Sequence, residues 1–129
     1  MNKIPILIFL VEDDIDDQGL FQDALSEIDR SIQLVTAPNG VEALRKINKN
    51  MLSIPDYIFM DLNMPLMDGI QCLKEFKKLP SLADIPIVIY STSTYEKDSE
   101  DAKKAGAFEY IVKPFSFPEL CKEIKKILR

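Results

Sequence analysis

Short apolar runs alternate with segments of helical periodicity along the whole of this 129-residue chain. The predicted strands are the apolar runs at residues 4–11, 32–36, 57–60, 87–90 and 108–112. The links between successive segments are short, so each strand must connect to the next by a right-handed crossover in a parallel sheet. The sequence therefore predicts a doubly wound α/β fold with two helices on one face, three on the other, and the strand order 2-1-3-4-5.

Capping residues and apolar stripes define the helical segments. Asn39 with Glu42, and Ser116 with Glu119, have the spacing of helix N-terminal caps and predict the starts of the second and last helices. The apolar side chains expected to face the sheet are Leu20, Phe21, Ala24, Leu25 and Ile28 in the first helix, Val41, Leu44 and Ile47 in the second, Ile70, Leu73 and Phe76 in the third, and Leu120, Ile124, Ile127 and Leu128 in the last.

The fourth helical segment differs from the others. Residues 95–105 are almost wholly polar, and only Ala102 and Ala105 offer an apolar side. We therefore expect a weakly anchored fourth helix that stops at Gly106. The second helix is expected to end near Asn50.

The composition excludes several classes of function. The chain contains no histidine, which removes Ser-His-Asp catalysis, Cys-His catalysis and imidazole ligation of metals. A net charge of -5 at pH 7 disfavours unspecific binding to nucleic acid or to an anionic membrane, and the apolar run 6–11 is too short to span a bilayer. Residues 1–129 are expected to form one cytoplasmic domain with no output domain. Cys72 and Cys121 are expected to be small buried hydrophobes, not a disulfide or a metal pair.

Polar residues follow four of the predicted strands. Glu12 and Asp13 end the first strand, Asp61 the third, Ser91 the fourth and Lys113 the fifth. Parallel strands all finish on the same side of the sheet, and ligands of open α/β sheets bind there. If strands one and three are neighbours, three carboxylates lie close together and cannot all stay ionised without a counter-charge. The sequence thus predicts one acidic pocket built from distant positions.

The chemistry of this pocket favours Mg²⁺ and a phosphoryl group. Mg²⁺ prefers carboxylates, waters and phosphate oxygens. The predicted metal ligands are Glu12, Asp13, Asp61 and the backbone carbonyl of Asn63. Because carboxylates are known acceptors of phosphoryl groups, we interpret Asp61 as a nucleophile. Lys113 and the Ser91 hydroxyl would bind the other phosphoryl oxygens.

Three further acids follow the first strand. Asp14, Asp16 and Asp17 would fall at the start of the first helix, where negative charge is favourable. We therefore assign them to the helix N-terminus and leave them out of the site.

Four motifs lie at the predicted strand ends. They are Val11-Glu12-Asp13-Asp14, Met60-Asp61-Leu62-Asn63-Met64-Pro65 with Met67-Asp68-Gly69, Ser91-Thr92, and Tyr110-Ile111-Val112-Lys113-Pro114-Phe115. Together they resemble the motifs of response-regulator receiver domains, and the resemblance covers essentially the whole chain. It implies the flavodoxin-like (βα)5 topology of CheY-like proteins. Residues 80–86 and 91–93 also resemble the stand-alone regulators that partner phytochrome-type histidine kinases.

The resemblance implies a role for each site residue. Glu12 and Asp13 would hold the metal, Asp61 would be phosphorylated, Asn63 would lend its carbonyl, Ser91 would be the switch hydroxyl, Lys113 would contact the phosphate, and Tyr110 would be the rotating aromatic. The resemblance further implies a cis peptide bond between Lys113 and Pro114.

The same resemblance implies a place in two-component signalling. The protein would be a single-domain response regulator that catalyses only its own phosphoryl transfer and dephosphorylation. Its expected partners are a sensor histidine kinase or phosphotransfer protein, which presents phosphohistidine, and a downstream protein or second copy. The latter would bind through the face formed by helix 4, strand 5 and helix 5.

Other functions are weighed against the same residues. A Mg²⁺-dependent phosphatase using Asp61 would need a second acid two residues later, where the sequence has Asn63. A flavodoxin-like cofactor binder would need Gly, Ser and Thr amides after the first strand, where the sequence has acids. A receiver fold used as a non-phosphorylated binding module is a further alternative.

Overall fold

The computed structural model describes residues 5–49 and 53–128. Its strands are β1 (Leu7–Val11), β2 (Gln33–Ala37), β3 (Tyr57–Met60), β4 (Ile87–Ser91) and β5 (Glu109–Val112). Its helices are α1 (Ile15–Ile28), α2 (Gly40–Asn48), α3 (Gly69–Lys77), α4 (Glu96–Lys104) and α5 (Phe117–Ile127). The expected strand start at residue 4 and the expected helix end near Asn50 lie outside the described residues, and α2 ends at Asn48.

All neighbouring strands of the sheet are parallel, in the order β2-β1-β3-β4-β5. Val11, the last residue of β1, pairs with Ala37 on one side and with Met60 on the other. The pairing continues one residue further, because the Asp61 amide donates to the Val11 carbonyl at 3.0 Å. The predicted doubly wound fold and its strand order are confirmed, and the register brings the ends of β1 and β3 side by side.

Helices cover both faces of the sheet. The core on one face contains Ala43 of α2, Leu73 and Phe76 of α3, and Ala102 of α4. The core on the other face is built by α1 and α5, through residues such as Phe21 and Ile124. The expected division into three helices and two is therefore confirmed. Within the described residues, none of the helices has the length and hydropathy needed to cross a bilayer.

Two residues assigned to apolar stripes point to solvent instead. Leu20 is 48% exposed and Val41 is 43% exposed. In α2 the small residues Gly40 and Ala43 are buried, so the stripe is rotated toward them and away from Val41. In α1 the buried residues begin at Phe21, and Leu20 lies at the margin of that stripe.

The caps predicted from spacing are present. The Asn39 side chain accepts a hydrogen bond from the Glu42 amide at 2.9 Å, and the Ser116 hydroxyl accepts one from the Glu119 amide at 3.3 Å. These bonds satisfy amides that have no partner within the helix, so α2 and α5 begin where the sequence places them.

Helix α4 is the least anchored of the five. Ala102 is its only fully buried residue, and its N-cap residue, Tyr95, makes no capping side-chain hydrogen bond. The expectation of a sparse apolar side is confirmed.

The expected cis peptide bond between Lys113 and Pro114 is wrong. No cis peptide bond occurs within residues 5–49 and 53–128. The Lys113 amide donates to the Ser91 carbonyl at 2.7 Å, so the chain keeps its pairing with β4 up to the proline. The turn into α5 follows with the trans bond, which is the intrinsically preferred form.

Candidate functional site

Four loops at the C-terminal edge of the sheet bring the predicted site residues together. Glu12 and Asp13 follow β1, Asp61 follows β3, Ser91 ends β4 and Lys113 follows β5. Glu12, Asp61 and Ser91 are buried, whereas Asp13 is exposed. The site is therefore an acidic recess that opens to solvent beside Asp13.

The three acids are close enough to share one cation. One carboxylate oxygen each from Glu12, Asp13 and Asp61 lies within 4.8 Å of the others. An all-oxygen donor set of this kind suits a hard cation such as Mg²⁺, and the exposed side leaves room for the waters that Mg²⁺ retains. The Asn63 amide lies 3.4 Å from Asp61 Oδ1, so the backbone at Asn63 is directly beside this cluster.

Lys113 is the positive group of the site. Its ammonium donates to Glu12 Oε1 at 2.7 Å and to Asp17 Oδ2 at 2.8 Å, and it lies 3.6 Å from Asp61 Oδ2. The ammonium also lies 5.1 Å from the centre of the Tyr90 ring, within the range of a cation–π contact. Lys113 thus joins the end of the last strand to the loop after the first.

Asp17 is the residue that the sequence analysis missed. It was assigned to the helix N-terminus alone, but its carboxylate pairs directly with Lys113. The other part of that assignment is correct, because Asp14 is the N-cap of α1 and accepts from the Asp17 amide at 3.1 Å. Asp13 precedes the N-cap of α1, so helical spacing does not connect it with Asp17, and the sequence carried no signal for the contact with Lys113.

Burial disfavours the ionised forms of the acids in the absence of a cation. Burial raises the pKa of Glu12 to about 7, although the hydrogen bond from Lys113 acts in the opposite direction. Burial also raises the pKa of Asp61, against the opposing charge of Lys113. Burial alone would lower the pKa of Lys113, but hydrogen bonds to Asp17 and Glu12 outweigh it and raise that pKa. The recess is short of positive charge, and a divalent cation would supply it.

A chain of hydrogen bonds leads from Ser91 to Tyr110. The Ser93 amide donates to the Ser91 hydroxyl at 3.2 Å, and the Ser93 carbonyl accepts from the Tyr110 hydroxyl at 2.9 Å. The Ser93 hydroxyl also donates to Asp98, in the first turn of α4. Ser93 therefore connects the Ser91 hydroxyl with both Tyr110 and the first turn of α4.

The loop after Asp61 is held by close backbone packing at Gly69. The Gly69 amide donates to the Leu62 carbonyl at 2.8 Å. A Cβ on Gly69 would lie 2.8 Å from the Leu62 Cα, and even closer to the Asp61 carbonyl oxygen, so the position requires glycine. Asp68 then caps α3 by accepting from the Gln71 amide at 2.9 Å. These contacts fix the backbone that carries Asp61.

A five-stranded parallel sheet in this order, with clustered acids and a lysine at its C-terminal edge, defines the CheY-like class of signalling domains. The family model for the response regulator receiver domain matches residues 8–125. The chain belongs to that family.

Relatives and solved structures agree with this assignment. The transcriptional regulatory protein PrrA of Mycobacterium bovis is 32% identical over 127 residues, which are 95% of this chain and 49% of that protein. The chain thus spans about half the length of this curated relative. Phosphorylated RcpA, a cyanobacterial phytochrome response regulator, is 35% identical with a TM-score of 0.88, and the match covers 96% of this chain and 91% of RcpA.

Two further crystal structures give the same fold. The Mn²⁺-bound form of the response regulator Rcp1 is 30% identical with a TM-score of 0.84, over 95% of this chain and 91% of Rcp1. The chemotaxis response regulator CheY4 of Vibrio cholerae is 27% identical with a TM-score of 0.83, over 96% of this chain and 99% of CheY4. The resemblance to phytochrome response regulators and to CheY proteins is confirmed at the level of family and fold.

Proposed function

We propose that Asp61 accepts a phosphoryl group from a phosphohistidine of a sensor histidine kinase or phosphotransfer protein, with Mg²⁺ bound at the acidic recess. The observation that carries the proposal is the cluster of Glu12, Asp13 and Asp61 within 4.8 Å, with the Lys113 ammonium beside it. Crystal structures of phosphorylated RcpA and of Mn²⁺-bound Rcp1 support it by analogy. As for the family at large, we expect the exchange to occur in the cytoplasm.

The transfer needs alignment and charge neutralisation more than covalent machinery. A carboxylate oxygen of Asp61 forms the new bond to phosphorus, while the phosphorus–nitrogen bond breaks and its electron pair stays on the imidazole. Glu12, Asp13 and Asp61 would hold Mg²⁺, which would supply positive charge to the phosphoryl oxygens. Lys113 is suited to bind an oxygen on the other side, and the Ser91 hydroxyl is suited to donate a hydrogen bond to another.

The new charge would act as a switch. We propose that Ser91 and Lys113 move toward the phosphoryl group and that Tyr110 and α4 respond through Ser93, which contacts both. The face that changes is formed by α4, β5 and α5, and we propose that it binds a downstream protein or a second copy of the chain. The weak anchoring of α4 supports this role, because few buried contacts resist its movement.

Intact-mass analysis after incubation with acetyl phosphate and Mg²⁺ tests the acceptor. We expect one added phosphoryl group in the wild type, and none in Asp61→Asn or without Mg²⁺. A wild type that takes up no phosphoryl group from acetyl phosphate or from a panel of phosphorylated histidine kinases would refute the proposal. Hydrogen exchange tests the switch, and unchanged protection across residues 91–110 on phosphorylation would count against it.

A further inference from the structure

Lys113 is held on one side of the site. Its two short hydrogen bonds go to Glu12 and Asp17, at 2.7 and 2.8 Å, whereas its distance to Asp61 Oδ2 is 3.6 Å. A hydrogen bond between nitrogen and oxygen is rarely longer than about 3.2 Å. The ammonium therefore interacts with Asp61 only through charge, and two of its three N–H groups are already used.

Asp17 occupies a defined position. Its amide donates to the Asp14 cap, which fixes the first turn of α1 and hence the backbone from which the Asp17 side chain extends. The Tyr90 ring contacts the ammonium of Lys113 as well. These contacts describe a resting place for Lys113 between α1 and Tyr90, in which the ammonium lies closer to Glu12 and Asp17 than to Asp61.

We propose that Asp17 competes with a phosphoryl group on Asp61 for the ammonium of Lys113 and thereby restrains phosphorylation. This inference rests on the proposed function, since it assumes that Asp61 is the acceptor. Asp17 is a positioning residue in this scheme, because it acts through Lys113 and not on phosphorus. Asp17 is also outside the group of acids that could share a metal ion within the described residues.

In this proposal Lys113 gains an ion pair with the phosphoryl group and loses one with Asp17. As Lys113 turns toward a phosphoryl oxygen on Asp61, its contact with Asp17 weakens, so the attraction between Lys113 and Asp17 is subtracted from the attraction that the phosphoryl group provides. The Asp17 side chain is 32% exposed and that of Lys113 is 10% exposed, so solvent screens part of this attraction. Asp17 should therefore slow the phosphorylation of Asp61 by a modest factor, and removing its charge should make phosphorylation faster.

Acetyl phosphate provides a balanced reaction in which to measure the effect. A carboxylate oxygen of Asp61 forms a bond to phosphorus, and the bond between phosphorus and the acetyl oxygen breaks. Acetate leaves with that electron pair, and no proton needs to be transferred. Beryllium trifluoride, which binds to a carboxylate oxygen in place of the phosphoryl group, gives the corresponding equilibrium.

The decisive comparison is between Asp17→Asn and Asp16→Asn. Both variants remove one negative charge from the start of α1, but Asp16 is exposed and has no ion pair among the described residues. With Mg²⁺ present, we expect Asp17→Asn to take up phosphoryl groups from acetyl phosphate roughly three- to fivefold faster than Asp16→Asn, and to bind beryllium trifluoride more tightly by a similar factor. Asp17→Glu keeps the charge and should return both values toward those of the wild type.

A spectroscopic readout separates positioning from a general effect on the fold. The ¹⁵N signal of the Lys113 ammonium, assigned by its loss in Lys113→Arg, should shift in free Asp17→Asn and stay unchanged in free Asp16→Asn. The affinity for Mg²⁺ should be the same in both variants.

The outcomes distinguish this inference from the proposed function. If the wild type is phosphorylated but Asp17→Asn and Asp16→Asn behave alike, the inference is wrong and the proposed function stands. An unshifted Lys113 signal in Asp17→Asn would overturn the inference as well. If the wild type neither takes up phosphoryl groups nor binds beryllium trifluoride, the proposed function fails, and the restraint on phosphorylation fails with it.

Discussion

Three residues at or near the acidic recess are held in energetically unfavourable states. Glu12 and Asp61 are carboxylates buried beside one another, and Leu66 adopts a left-handed backbone conformation with φ of 71° in the loop after Asp61. A strained backbone conformation such as that of Leu66 persists where the surrounding structure imposes it. Here the strain lies in the loop that presents Asp61 at the edge of the sheet.

Relieving the backbone strain at Leu66 should stabilise the protein. Leu66 is 79% exposed, so replacing its side chain loses little packing. Asparagine tolerates the left-handed region better than leucine, and we expect Leu66→Asn to raise the free energy of unfolding by about 0.5 to 1 kcal/mol. Urea denaturation measures the change. Leu66→Ala is the control, since it removes the apolar side chain but lacks the side-chain amide that lets asparagine hydrogen-bond locally in this region; an equal gain in both variants would contradict the explanation.

The two cysteines should differ in reactivity. Both thiols are free, and burial raises the pKa of Cys72 to about 12, whereas Cys121 is only half-buried. The thiolate is the reactive form, so its fraction at pH 8 is very small for Cys72 and increases only as the pH approaches that pKa. We expect a thiol reagent at pH 8 to label one cysteine quickly, and Cys121→Ser to abolish this fast phase. A fast phase that persists in folded Cys121→Ser would refute the prediction.

Residue patterns predicted the identity of the clustered groups better than their contacts. Five residues could be placed together because each ends or directly follows a strand, and parallel strands end on one side: Glu12, Asp13, Asp61, Ser91 and Lys113. The contact of Asp17 with Lys113 could not be deduced in the same way. An acid in a first helical turn is favourable whether or not it has a partner, so the same residue type fits both situations.

At the scale of elements, the strands and helices differ in how firmly the sequence holds them. Strands β1, β3 and β4 are almost wholly buried, and their apolar runs marked them clearly. Helix α4 buries only Ala102, and its N-cap residue, Tyr95, provides no side-chain cap. Helix α4, which is proposed to move, is thus the helix that buries the fewest of its own residues.

A capping residue at position 95 should stabilise α4. Serine accepts a hydrogen bond from amides of the first helical turn, which tyrosine does not do here. We expect Tyr95→Ser to be more stable than Tyr95→Ala by about 1 kcal/mol, with slower hydrogen exchange in residues 96–104. Both variants lose the same aromatic ring, and this ring is exposed to solvent. Equal exchange in the two variants would show that the start of α4 is not limited by its cap.

Helix faces were predicted less well than helix positions. The exposure of Val41 follows from the burial of Gly40 and Ala43. A Cβ on Gly40 would lie 3.1 Å from the Cys72 sulfur of α3 and 3.1 Å from the sulfur of Met67, which precedes that helix. A hydrophobicity pattern gives most weight to the larger apolar residue. Close packing of two helices is instead decided by the smaller ones, which leave space for the neighbouring side chains.

At the scale of the whole molecule, cation binding should be coupled to global stability. A ligand that binds the folded chain alone stabilises it by mass action. We expect Mg²⁺ at about 100 times its dissociation constant to raise the free energy of unfolding by about 2.7 kcal/mol. The same Mg²⁺ concentration should have a much smaller effect on Glu12→Gln and an undiminished effect on Asp16→Asn. Urea denaturation with Mg²⁺ and with a chelator measures this, and equal responses of the two variants would exclude Glu12 as a ligand.

The pairing of Lys113 with Glu12 also determines when the site is complete during synthesis. The two residues are 101 positions apart, and Asp61 lies between them. A growing chain makes the acids of β1 and β3 long before it makes β5, and domains are synthesised from the N-terminus. The nascent protein therefore has Asp61, the proposed acceptor, early and the Lys113 ammonium late. On the proposed function, competence to signal would arrive only with β5, and unfinished chains would not draw phosphoryl groups away from completed ones.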